Sequence, residues 1–126
     1  MQRKIKFKFY DRQRKHLMDV MSINWEQGIV VCIFERKGVI LPIEDGDLLQ
    51  YADRKDNYKK EIYEGNIIVE HDHLGTKPPM EVYWDEKECG FRCRHGVYNG
   101  LIPESKNIEV IGNRYDNPEL LISEFL

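Results

Sequence analysis

The chain has 126 residues, 41% hydrophobic and 33% charged, with 19 Lys and Arg against 22 Asp and Glu for a net charge of -3. That length suits one compact core or two small β subdomains, and the composition is too apolar for general disorder and too interrupted by charge for a membrane span. The negative balance opposes strong non-specific attraction to nucleic acid or anionic lipid, and no continuous hydrophobic segment opens the chain, so a cytoplasmic location is expected.

Ile5, Phe7 and Phe9 alternate with Lys4, Lys6 and Lys8. This period of two predicts an opening strand with one face on a core and the lysines in water. Residues 17–23 predict a second strand, residues 28–35 a third buried on both faces, and residues 39–43 a fourth after the turn Arg36-Lys37-Gly38. Residues 1–49 therefore read as an N-terminal β meander. Residues 53–60 form a charged stretch without apolar periodicity, expected to be a loop joining the two halves.

Beyond it, residues 66–71 predict a strand, and residues 80–84 and 89–95 a hairpin across Asp85-Glu86-Lys87-Glu88. Setting Trp84 opposite Cys89 brings Val82 opposite Phe91 and Met80 opposite Cys93 on one face; Tyr83 then meets Gly90 and Glu81 meets Arg92 on the other. Residues 107–112 supply a last strand. Asn117-Pro118-Glu119 is a helix-start signature, and so short a helix would need Leu120, Leu121, Ile122, Phe125 and Leu126 to dock on something.

Three blocks carry a family likeness: Ile5-Lys6-Phe7-Lys8-Phe9-Tyr10-Asp11; Gln50-Tyr51 with Lys60-Glu61-Ile62-Tyr63-Glu64-Gly65-Asn66-Ile67-Ile68; and Ile108-Glu109-Val110-Ile111-Gly112-Asn113-Arg114-Tyr115-Asp116-Asn117-Pro118-Glu119-Leu120-Leu121. In their order and spacing they resemble the YopX family, small proteins found mostly in bacteriophages, prophages and other mobile elements. The family pattern usually reads Thr-Gly where this chain has Ala52-Asp53, Asn-Gly where it has Tyr58-Lys59, and Gly-Asp where it has Gly65-Asn66. The resemblance implies an SH3-like β-barrel in residues 50–126, ahead of the short C-terminal helix, and no established activity. The fold expected is thus mainly β.

Chemistry-bearing constellations are sparse. Cys32, Cys89 and Cys93 are an odd number in a chain without an export signal, which predicts reduced thiols. On the register above, His71, His73, Cys89, Cys93 and His95 share a face, but neighbours on one strand lie about 7 Å apart, too far to converge on zinc at about 2.3 Å. No metal or cofactor is expected. Ser22, Ser105 and Ser123 lie in no nucleophile motif and no phosphate-binding loop is present, so the reading is not an enzyme. The run Glu44-Asp45-Gly46-Asp47 reads as a solvated turn.

Two interaction readings remain. One is a protein-binding accessory role using loops and strand edges, with Tyr58, Tyr63 and Tyr98 as contact residues and self-association as a further expectation. The other is a nucleic-acid-binding regulator using Lys4, Lys6, Lys8, Arg12 and Arg14, with Tyr10 available for stacking. Residues 1–15 hold seven Lys or Arg and one acid. The plain counter-reading is an edge strand that lysines protect from aggregation.

Overall fold

The structure is a computed structural model in which residues 3–104 and 107–122 are described. The chain divides into two compact units, Met1–Tyr51 and Ala52–Leu126.

In the first unit, β1 (Phe7–Asp11), β2 (His16–Asn24), β3 (Ile29–Phe34), β4 (Lys37–Pro42) and the start of β5 (Gly46–Lys55) form an antiparallel sheet in the order β4-β3-β2-β1-β5. Alternation turns Phe9, Met18, Val30, Cys32 and Leu41 to one face, where they make the core with Val20, Ile23, Phe34, Val39, Ile43 and Leu48 against them. Two expectations change here. The strand β1 is central, paired with β2 on one side and β5 on the other, so it is no protected edge. Strand β3 is not buried on both faces, since Ile33 is 43% exposed.

The ten-residue β5 is the longest element that sequence reading missed, because Asp-Gly-Asp signals a turn and Asp53 to Lys55 carries only charge. It persists as a strand to Lys55, so the expected loop begins only at Asp56. At its start Gly46 lies where no side chain fits: a Cβ there would sit 2.2 Å from the Tyr10 carbonyl oxygen and 2.3 Å from the Phe9 ring.

The second unit holds β6 (Glu61–Tyr63), β7 (Asn66–Asp72), β8 (Gly75–Thr76), β9 (Met80–Asp85), β10 (Gly90–His95), β11 (Tyr98–Leu101) and β12 (Ile108–Asn113). Its main sheet runs β11-β10-β9-β7-β12, with β8 paired to β7, while β6 follows β5 in strand order. The core comprises Ile62, Ile68, Met80, Val82, Cys93, Ile102, Ile108 and Val110. The sheet is open, with β11 and β12 at its ends, so the SH3-like barrel is replaced by an open antiparallel sheet.

The β9–β10 hairpin forms with its faces sorted as expected but shifted by two residues: Phe91 pairs with Trp84, Cys93 with Val82 and Arg94 with Glu81. The cause is local. Asp85 Oδ1 accepts the N–H groups of Lys87 and Glu88, and Cys89 takes φ 52°, so Glu86 to Cys89 is the loop and Cys89 cannot pair. The expected C-terminal helix is a single 3-10 turn, Pro118–Leu121; Asn117 does not cap it but accepts the Asn113 N–H at 3.2 Å. Phe125 and Leu126 lie outside the described residues. No helix among the described residues is long and apolar enough to cross a membrane.

Candidate interaction surface

The basic residues proposed for nucleic acid are largely engaged within the first unit. Lys6 lies 5.9 Å from the centroid of the Tyr51 ring and Lys8 Nζ is 3.8 Å from Asp19. Arg12 pairs with Asp47 at 3.0 Å and donates to the Glu44 carbonyl, and Arg14 pairs with Asp11 at 2.7 Å. Lys4 is exposed ahead of β1. Asp11 is almost wholly buried; burial would raise its pKa, but the Arg14 side chain and the N–H groups of Gln13 and Arg14 outweigh this and hold it below the ordinary 3.8. Of the three lysines Lys4 is exposed, while Lys6 and Lys8 are half-buried beside Tyr51 and Asp19.

The three tyrosines separate. Tyr63 is only 6% exposed and its hydroxyl donates to Glu61 at 3.2 Å, so it is a packed residue and not an accessible contact. Tyr58 is exposed in the turn after β5. That turn is fixed from below by Asp56, whose Oδ1 accepts the N–H groups of Tyr58 at 2.8 Å and Lys60 at 2.9 Å while Oδ2 accepts that of Val110 at 2.9 Å. Burial raises the Asp56 pKa, and these three N–H groups with the charge of Lys60 more than reverse it, leaving it lowered. Tyr98 is exposed on β11.

The five soft side chains do not share a face. Ile68 pairs with Met80 in the core, so alternation turns His71 to the opposite side, where Nε2 lies 2.9 Å from Glu109 and Nδ1 2.8 Å from Thr76. Cys93 is buried in the core, 3.5 Å from the Met80 sulfur and 3.4 Å from the Leu101 carbonyl. Cys89 sits in an exposed turn, His73 in another, and His95 Nδ1 donates to the Pro79 carbonyl at 2.7 Å. Among the described residues no group of three or more His, Cys, Asp or Glu is placed to hold a metal ion. Burial raises the Cys93 thiol, and burial with the Asp11 charge pushes Cys32 up to about 11, so neither ionises readily near neutrality.

The opposite face of the second sheet is tied by charge. Glu81, 8% exposed, accepts Arg94 Nε at 3.1 Å and Arg114 Nη1 at 3.2 Å, and Arg94 stacks 4.4 Å from the Tyr83 ring centroid. This pairing of a buried acid with two guanidinium groups satisfies the carboxylate and fixes both arginine side chains.

One concave feature lies at the end of this sheet. A cavity of about 260 Å³ is lined by Pro78, Met80, Pro103, Tyr98 and His95, with Glu70 and Lys77 at its polar side. Lys77 Nζ is 3.0 Å from Glu70 and 3.8 Å from Asp72, and the hydrogen bond and charge of Glu70 raise its pKa. The volume is below the range of about 300–1,000 Å³ usual for cofactor or metabolite sites, and suits one or two inserted side chains. The hairpin tips at this end are apolar: Val97, in the two-residue loop opened by Gly96 at φ 58°, is 103% exposed and Leu74, in the turn between β7 and β8, 85%, while Tyr98 at the cavity itself is 60% exposed. Sequence reading found Tyr98 but missed the rest, because β11 was not foreseen and its register alone brings Tyr98 beside His95.

The fold is shared with a solved structure, that of protein EF1440 from Enterococcus faecalis, at TM-score 0.64 and 18% identity over 96% of this chain and 100% of that one. No curated protein sequence matches this chain. The family model described as YopX protein matches residues 3–122.

Proposed function

Since the chain belongs to the YopX family, we propose that it is a non-catalytic accessory protein of phage or prophage elements that acts in the bacterial cytoplasm by binding another protein. The observation that carries this reading is a side-chain-sized cavity at one end of the second unit, lined by exposed Tyr98, with exposed Leu74 and Val97 in the hairpin turns at that same end. Scattered single apolar residues on a surface are ordinary, but large ones gathered at the end that holds a pocket mark a contact surface.

The partner presents one apolar side chain to the Met80, Pro78 and Pro103 floor, with polar neighbours meeting Glu70, Lys77 and the His95 edge. Selection from a random peptide library tests this. Wild-type protein enriches peptides with a shared apolar anchor, and Tyr98→Asp loses them while retaining its thermal midpoint. Equal enrichment on both proteins refutes the surface. Titration with 20-mer DNA and RNA at two salt concentrations addresses the nucleic-acid alternative: no salt-sensitive affinity is expected, whereas binding abolished by Lys4, Lys6 and Lys8 to Glu would replace protein by nucleic acid as the partner.

A further inference from the structure

The free edge of β4 in the first unit is built for a copy of itself. The β3–β4 hairpin turns through Glu35 at φ 51° and Arg36 at φ 67°, both left-handed as a type I′ loop requires. In such a two-residue hairpin the flanking pair, Phe34 with Lys37, exchanges both hydrogen bonds, and pairs then alternate. Lys37, Val39 and Leu41 therefore direct their N–H and C=O groups to β3. Gly38 and Ile40 direct theirs outward, and so does the carbonyl of Pro42.

The side chains at this edge fit the same arrangement. Ile40 is 68% exposed on the face away from the core, and pairs with Val31 beside the 43% exposed Ile33. The ends of the strand carry opposite net charge: at the start Arg36 and Lys37 outnumber the adjoining Glu35, and Glu44 and Asp45 lie just past the end, all exposed. Among the described residues none of these five side chains is ion-paired. A strand that is apolar in the middle, basic at one end and acidic at the other is complementary to itself when turned antiparallel.

We propose that two copies of this chain associate through β4, antiparallel about a two-fold axis at Ile40, continuing the sheet from one copy into the other. In that register Ile40 exchanges N–H and C=O bonds with its counterpart, each Gly38 N–H reaches the partner's Pro42 carbonyl, and each Arg36 faces the partner's Glu44. Pro42, lacking an N–H, ends the pairing there, and the isologous contact uses up the edge on both copies, so the assembly closes as a dimer. This contact lies in the first unit and does not depend on the cavity in the second.

Sedimentation equilibrium over a concentration series is the test. The wild-type chain has twice the mass of one chain at high concentration and dissociates on dilution. Ile40→Lys weakens association by about 30-fold or more, the effect of losing an interface anchor. Arg36→Glu with Lys37→Glu weakens it as well, and adding Glu44→Lys with Asp45→Lys restores it to within a few-fold of wild type. Circular dichroism melts confirm that each variant is folded. A monomer at every concentration, a dimer indifferent to Ile40→Lys, or failure of the fourfold charge exchange to restore association each overturns the proposal.

Discussion

Replacing Asp56 by Asn probes the contact that organises the second unit. The carboxylate is 8% exposed and takes three backbone N–H groups at 2.8 to 2.9 Å, two from its own turn and one from Val110 in β12. Asparagine keeps the shape but turns one oxygen into a donor, so at least one N–H is left facing an NH₂ group. With about 1.5–3 kcal/mol for a hydrogen bond to a charged acceptor and about 1–3 for a buried donor left bare, Asp56→Asn costs about 2–3 kcal/mol and Asp56→Ala about 3–5. The pH dependence fixes the mechanism. A carboxylate whose folded pKa is depressed contributes stability above its unfolded value near 3.8, and loses it as pH falls through the lower folded value. The cost of Asp56→Asn is therefore full at pH 7 and shrinks below pH 3.8. Urea unfolding in a Trp25→Phe background, where Trp84 alone reports on the second unit, measures it. A loss under about 0.5 kcal/mol, or one unchanged from pH 7 to pH 3, would refute the reasoning.

Further outcomes follow from single positions. Gly46→Ala places a Cβ against the Tyr10 backbone and the Phe9 ring, and costs about 1–3 kcal/mol in urea unfolding followed by Trp25; an unchanged midpoint contradicts the close approach. Lys59 stands at φ 66°, where the left-handed conformation costs a side-chain-bearing residue about 1–2 kcal/mol, so Lys59→Gly stabilises by about 0.5–1 kcal/mol net of the added freedom of the unfolded chain while Lys59→Ala does not. Of the three thiols, only that of exposed Cys89 reacts with a thiol reagent in the native protein, and all three react in urea. Rapid native modification of Cys32 or Cys93 would mean that their burial is wrong.

The sequence disclosed most where alternation and β-branched residues agree. The strands now at His16–Asn24, Ile29–Phe34, Asn66–Asp72 and Ile108–Asn113 were visible because one face of each must be apolar to be buried. It disclosed least where local chemistry and tertiary pairing oppose each other. Gly46-Asp47 reads as a turn, yet the chain is extended there because β1 offers it a partner and the Phe9 ring fills the missing side chain's space. Ala52-Asp53 and Tyr58-Lys59 stand where the family reads Thr-Gly and Asn-Gly, and Asp53 at φ 57° and Lys59 at φ 66° keep left-handed backbone without glycine. Of the surface, Tyr98 was legible as an aromatic near a turn. Its cavity was not, since Met80, His95 and Pro103 meet it only through pairings separated in sequence.

The protein-binding role proposed for the end of the second unit has a direct reporter in Met80, on the cavity floor. The methyl resonance of Met80, with buried Met18 of the first unit as internal reference, reads it directly when a library-selected peptide is titrated into methionine-labelled protein. A saturable shift at Met80, absent at Met18 and abolished by Tyr98→Asp, is the predicted result. Binding that leaves Met80 unmoved, or moves it equally in Tyr98→Asp, would contradict the claim.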